Sequence, residues 1–407
     1  MTPITWRVAA PFLAGYFVSY VYRMVNAVLA PTLAAEFGLS AAGLGLLSSV
    51  YFLSFAVVQL PVGVALDRYG PRRVNAALLL VAVAGGAWFA AAESASAAIA
   101  ARALIGLGVS ACLMAALTAF VLWYPPERIS TMTGIAFSAG AVGAMTATVP
   151  LELLLRAWGW REAFLLIVGV TAVLSIVFWF WVPERTARRT NEGFREIVQG
   201  LSALLRDPVF LRFAIPLGAS QTAAVALQTL WIATWLRDVA QWNPAEVARG
   251  LLAVNVSMII GYMAFGRAAD AWQRRGRSAF PLLAGGVALS SVCLGLIVVG
   301  VHSMLLWCVF VGAGTAVVLA YSLLARRYPK AMAGRVNTAV NVVGFVGMFG
   351  GQWAIGMVLD RWPQSTQGYA AEAYPWALGM VWAIQFAGLA WLWSGRALLE
   401  RPSTSAA

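Results

Sequence analysis

Long apolar runs separated by short polar turns make up almost the whole chain. They fall at 8–31, 42–66, 74–93, 98–123, 131–155, 162–182, 209–236, 246–268, 279–300, 303–326, 335–359 and 374–397. Each is close to or above the roughly 20 residues a helix needs to cross the hydrocarbon core of a membrane. None alternates apolar and polar residues with period two, which argues against a β-barrel. The pattern predicts an all-α integral membrane protein with twelve transmembrane helices. One polar connection is long, 183–208, and it carries Arg185, Arg188, Arg189, Arg195 and Arg206. Ile197, Leu201, Leu204 and Leu205 recur within it at helical spacing. This predicts an amphipathic helix lying on the anionic inner leaflet. The expected domains are a six-helix bundle at 1–182, the cytoplasmic linker at 183–208 and a second six-helix bundle at 209–407.

The halves on either side of the linker repeat each other at a shift near 204. Gly63 and Asp67 recur as Gly266 and Asp270, and Tyr124-Pro125 recurs as Tyr328-Pro329. Gly140 and Gly143 recur as Gly344 and Gly347, and Trp158 recurs as Trp362. Matches in register at nearly one offset indicate an internal repeat. Each half holds an even number of spans. The two bundles are therefore expected to be pseudo-symmetric about an axis along the membrane normal.

Composition agrees with the pattern. Hydrophobic residues make up 61% of 407 and charged residues 11%, with mean hydropathy +0.79. A soluble domain carries about 25% charged residues. The net charge of +12 does not point to nucleic acid, because the charges are scattered among short loops. Of 28 Lys and Arg, 21 fall on one side of the predicted membrane, 5 on the other and 2 inside spans. That bias places both termini in the cytoplasm of a bacterial-type inner membrane. Arg7 and the apolar run after it read as an uncleaved first helix. Cys112, Cys293 and Cys308 all fall within spans, as small apolar residues and not as a disulfide framework.

Two stretches carry a family resemblance. The turn Gly63-Val64-Ala65-Leu66-Asp67-Arg68-Tyr69-Gly70-Pro71-Arg72-Arg73 resembles the signature loop between the second and third helices of the major facilitator superfamily. Arg102-Ala103-Leu104-Ile105-Gly106-Leu107-Gly108 resembles that superfamily's fourth-helix motif. The resemblance covers essentially the whole chain. It implies two six-helix bundles around a central cavity and alternating access by rocking. In this reading Gly63 lets its helix approach a neighbour closely. Asp67 accepts hydrogen bonds at the N-terminus of the eleventh helix near Gly334, where the dipole is positive. Arg68, Arg72 and Arg73 pair with acids such as Glu127. Together with Asp270 in the repeat, these residues form an expected conformational latch. The superfamily's drug antiporters carry a Gly-Pro pair in the fifth helix, whereas here Ala141 follows Gly140. Gly134, Gly140 and Gly143 read as packing positions.

Charged residues inside spans are functional-site candidates. Arg23 lies within the first span, with no acidic residue beside it. Tyr16, Tyr20, Arg23 and Ala27 share one helical face. Two hydroxyls and a guanidinium on one stripe can hold a carboxylate. The other candidate substrate contacts are Asn26, Gln59, Arg102, Gln228, Asn255, Tyr262 and Asn341. No Asp or Glu lies in the middle third of any span, which disfavours an internal proton carrier. The single lysine, Lys330, excludes a Gly-Lys phosphate loop, and the single histidine, His302, cannot make a two-histidine metal site.

The expected function is secondary transport of a small organic anion of carboxylate type. The chain is read as a monomer among membrane lipids, including anionic ones of the inner leaflet, with no cofactor, metal, nucleic-acid partner or enzyme activity. An amino-acid or small-peptide transporter, a multidrug efflux protein and a non-transporting membrane receptor remain open alternatives.

Overall fold

The structure is a computed structural model, and it describes residues 3–185, 194–325, 327–328, 332–363 and 368–395. The chain divides into two compact units. One is Met1–Glu192 with Pro244–Arg249, the other Gly193–Asn243 with Gly250–Ala407.

The first unit is built from α1 (Pro3–Phe37), α2 (Ala41–Ala90), α3 (Ala95–Val109), α4 (Cys112–Trp123), α5 (Pro126–Thr146), α6 (Val149–Trp158) and α7 (Trp160–Phe180). Ser40 and Ser94 cap α2 and α3 by accepting backbone hydrogen bonds from Gly43 and Ala97. At 50 residues, α2 is two arms joined at a kink. Gly70 makes the kink with φ 80°, a conformation open to glycine at little cost, and Pro71 follows it. These arms correspond to the sequence runs 42–66 and 74–93.

The other unit begins with α8 (Phe194–Leu204) and α9 (Pro208–Ala226), followed by a π-helical turn at Leu227–Trp231 and α10 (Ile232–Asp238). It continues through α11 (Pro244–Arg274), α12 (Phe280–Val298), α13 (Met304–Gly314), α14 (Leu319–Ala325), α15 (Ala333–Leu359) and α16 (Tyr374–Ser394). Among the described residues, ten helical stretches are long and apolar enough to cross a membrane. One is the two-armed α2, and the bent pair Thr131–Thr146 and Val149–Trp158 adds a further span. Ten, one more for the second arm and one for the bent pair agree with the twelve expected.

Both units use the same internal fastenings. In the first, α5 lies on α1, and a Cβ at Gly143 would run into the Phe17 carbonyl. In the second, α15 lies on α9, and a Cβ at Gly347 would run into Thr222. Arg7 donates to the Trp181 carbonyl at 3.4 Å, tying the start of α1 to the end of α7. Arg212 donates to Ser394 Oγ at 2.8 Å, tying α9 to α16. By contrast, a Cβ at Gly134 would meet nothing within 4 Å, so the packing expected there is not seen.

At the other end of each unit, an acid closes the ring of helices. Glu36 accepts from Trp160 Nε1 at 2.6 Å and pairs with Arg161. Asp238 is buried and accepts from Tyr374 Oη at 2.7 Å, from the Tyr369 backbone N–H at 3.2 Å and from both Nε and Nη2 of Arg237. Gly368 has φ 147°, and a Cβ there would strike the Asp238 carboxylate. Burial pushes the nearby Tyr369 phenol above its ordinary range. Asp238→Ala strands four donors, and the expected loss of stability is about 2 kcal/mol. A fall of several degrees in the unfolding midpoint in detergent would show it; an unchanged midpoint would contradict it.

The linker helix has protein against part of its apolar face: Leu201 and Leu204 are buried, α8 packs against α15, and Arg335 lies over Gly200, while Leu205 is half-buried. Arg188 and Arg189 lie outside the described residues, as do the side chains of Arg195 and Ile197.

Candidate functional site

Arg23 sits in an aromatic cage with no carboxylate. Its Cζ lies 4.5 Å from the Tyr20 ring centroid and 5.6 Å from that of Phe55. Tyr20 packs edge-on against Tyr16 at 5.1 Å, and Phe55 lies 4.9 Å from Tyr51. The hydroxyls of Tyr20, Tyr51 and Tyr16 are the polar groups acting on the guanidinium. The side chain is half-buried, and its Nε is fully buried without a hydrogen-bond partner. Among the described residues no ion pair includes it. The cage depends on α5, because a Cβ at Gly140 would lie 2.7 Å from Tyr16 Cε1 and 2.9 Å from Tyr20 Cδ2.

Arg102, a candidate ligand contact in the sequence, lies on α3 with its side chain fully buried. Its Nη2 donates to the Tyr22 carbonyl at 2.6 Å, and its Cζ stacks 4.9 Å from the Tyr51 ring. Tyr51 Oη in turn donates to the Ser19 carbonyl at 2.9 Å. In helical register the Ser19 and Tyr22 carbonyls also serve the N–H groups of Arg23 and Asn26. Arg102 and Tyr51 thus brace the turn of α1 that carries Arg23. Tyr51 is not among the sequence candidates, because its target is a backbone carbonyl that no side-chain pattern reveals.

The remaining candidates divide between the units. In the first, buried Asn26 donates to Ser48 Oγ at 3.0 Å and buried Gln59 donates to Met114 S at 3.4 Å. Both act as ties between helices. In the second, Gln228 sits in the π-helical turn and donates to Asn255 Oδ1 at 2.8 Å and Met258 S at 3.3 Å. Such turns inside α-helices often mark functional positions. Asn341 accepts from Tyr321 Oη at 2.7 Å, a partner the sequence did not single out. Tyr262 is exposed.

The expected latch residues lie around the Gly70 kink. Asp67 and Arg68 are exposed, and Arg68 lies 5.3 Å from the Tyr69 ring. Arg72 and Arg73 pair with Glu184 at 3.6 and 2.7 Å, and Arg72 donates to the Trp179 carbonyl at 2.5 Å. Their acid is thus on the chain after α7; the Glu127 side chain lies outside the described residues. The close approach expected at Gly63 is not seen, since a Cβ would meet only Met114 Cε at 3.8 Å. Asp270 is exposed, and a Cβ at Gly266 would meet nothing within 4 Å.

The family model described as Major Facilitator Superfamily matches residues 12–352. The chain belongs to this superfamily. Among curated members it is 25% identical over 282 residues to "Probable sulfoacetate transporter SauU" of Cupriavidus necator, covering 67% of this chain and 60% of that protein. It is 25% identical over 264 residues to "Hexuronate transporter" of Escherichia coli, covering 60% of each. The matches thus span less than two thirds of these relatives. A solved superfamily structure, a bacterial homologue of the human lysosomal transporter Spinster, aligns over 100% of both chains with TM-score 0.80 and 16% identity. That likeness shows the fold. Membership places this chain among transporters, not enzymes.

Proposed function

We propose that the protein is a secondary transporter of small organic anions, with a carboxylate as the group recognised and Arg23 as its ligand. The observation that carries this reading is the caged guanidinium without a carboxylate. A cation held in a membrane span without a counter-charge is costly, and a bound anion supplies that charge. The planar guanidinium offers paired N–H donors to a carboxylate, and Tyr16 and Tyr20 place hydroxyls beside it. The sulfoacetate and hexuronate named for its relatives are anions, which supports this class over amino acids, peptides or drug-like cations. The charge distribution supports an orientation with the arginine-rich loops in the cytoplasm.

The test is uptake of radiolabelled glucuronate, a hexuronate, into proteoliposomes, with unlabelled competitors. Carboxylates and sulfonates are expected to compete. The corresponding neutral amide is expected to be weaker by at least about tenfold, since hydrogen bonds to charged groups are the stronger kind. Equal competition by acid and amide would contradict the reading.

A further inference from the structure

We infer that the protein works as an anion exchanger, in which the anion-free carrier reorients far more slowly than the loaded one. The inference rests on Arg23 being the anion ligand.

Among the described residues of the first unit, Arg23 and Arg102 lie in membrane spans and no carboxylate pairs with either. Arg23 is faced by Tyr16 and Tyr20 from α1 and by Tyr51 and Phe55 from α2. From α5, Gly140 backs the tyrosine pair. Arg102 from α3 shares Tyr51 with it and adds a second positive charge. Arg102 makes one hydrogen bond, to a carbonyl, and its Nε and Nη1 are buried without partners. The buried Glu152 of this unit is paired with Arg156, one helical turn along its own helix. Glu36 is engaged by Trp160 and Arg161, and Glu184 by Arg72 and Arg73.

A carrier passes through a state closed to water on both sides each time it reorients. An unpaired guanidinium loses its hydration there and gains nothing in return, whereas a guanidinium–carboxylate pair enters nearly neutral. Protons cannot substitute for the anion. Arginine stays charged at any working pH, and a tyrosine is neutral near pH 7. Among the described residues of its own unit, the groups that face Arg23 are tyrosines and a phenylalanine, with no carboxylate or imidazole to carry a compensating charge. The route left for both directions of travel is with an anion bound, so that entry of one is matched by exit of another.

The experiment uses the purified full chain in proteoliposomes containing a zwitterionic buffer, with or without unlabelled substrate inside. Radiolabelled glucuronate and sulfoacetate are the external probes. Uptake against internal substrate is expected to exceed uptake into anion-free vesicles by at least about tenfold, given that an unpaired interior charge weighs several kcal/mol. Tyr20→Glu, or Phe55→Glu if the first does not fold, places a carboxylate against Arg23. Either is expected to weaken uptake under both loadings, because the new carboxylate competes with the substrate, and to bring the ratio of the two residual rates close to one by giving the empty carrier its own counter-charge. Equal rates in the wild type overturn the exchange inference and leave the anion reading standing. A folded variant that keeps the wild-type ratio also overturns it. No uptake of either probe under either loading overturns the anion reading and this inference with it.

Discussion

Arg23→Gln is expected to lower carboxylate affinity by roughly thirtyfold or more, because truncating one partner of a desolvated charge pair costs about 2–5 kcal/mol. Arg23 makes no ion pair among the described residues; it packs on the rings of Tyr20 and Phe55 and hydrogen-bonds the Tyr51 hydroxyl. Its loss should therefore spare folding and appear in binding. Arg23→Lys should fall between the two, since a lysine keeps the charge but loses the flat fork that lies over Tyr20. Concentration-dependent uptake separates the outcomes: the apparent KM rises in both variants, most in Arg23→Gln. A variant with reduced maximal rate and unchanged KM would mean that Arg23 does not hold the anion in the ground state.

The largest structural effect is expected one turn apart on α5. At Gly143 an added Cβ would meet the carbonyl, C and Cα of Phe17, all backbone atoms of α1. Backbone cannot rotate aside, so Gly143→Val must push two helices apart along their contact. Overpacking of this kind costs about 1–3 kcal/mol for side-chain shifts alone, and more here. Gly143→Val is expected to yield little monodisperse protein. At Gly140 the obstacles are the rings of Tyr16 and Tyr20, which can turn. Gly140→Ala is expected to fold, to move Tyr20 off the guanidinium, and to weaken glucuronate binding by about threefold to tenfold, the range of one cation–π contact. Size-exclusion profiles and binding curves of the two variants check both statements, and the reverse order of severity would contradict them.

The contrast shows what a linear reading captures. The spans, the repeat and the stripe of Tyr16, Tyr20 and Arg23 are local patterns, set by hydropathy and helical spacing, and they are visible in one dimension. The same holds for Gly140 and Gly143, whose recurrence as Gly344 and Gly347 marks helix contacts in both units. What escapes is set by partners far along the chain. Arg102 is an arginine in an apolar span just as Arg23 is, yet it serves a carbonyl 80 residues away. Arg73 meets Glu184 across 111 residues, an acid the sequence did not single out. The amphipathic linker shows an apolar face equally suited to lipid or to α15, and periodicity does not distinguish the two. Nor does it announce the π-helical turn at Gln228, where an altered hydrogen-bond pattern interrupts an otherwise regular apolar run.

The most direct test of Arg23 as the anion ligand is ligand-induced thermal stabilisation of the purified protein, wild type beside Arg23→Gln, with glucuronate and its neutral amide. The expected result is a rise in unfolding midpoint with glucuronate for the wild type only, and none with the amide for either protein. Equal stabilisation of wild type and Arg23→Gln by glucuronate would contradict the claim.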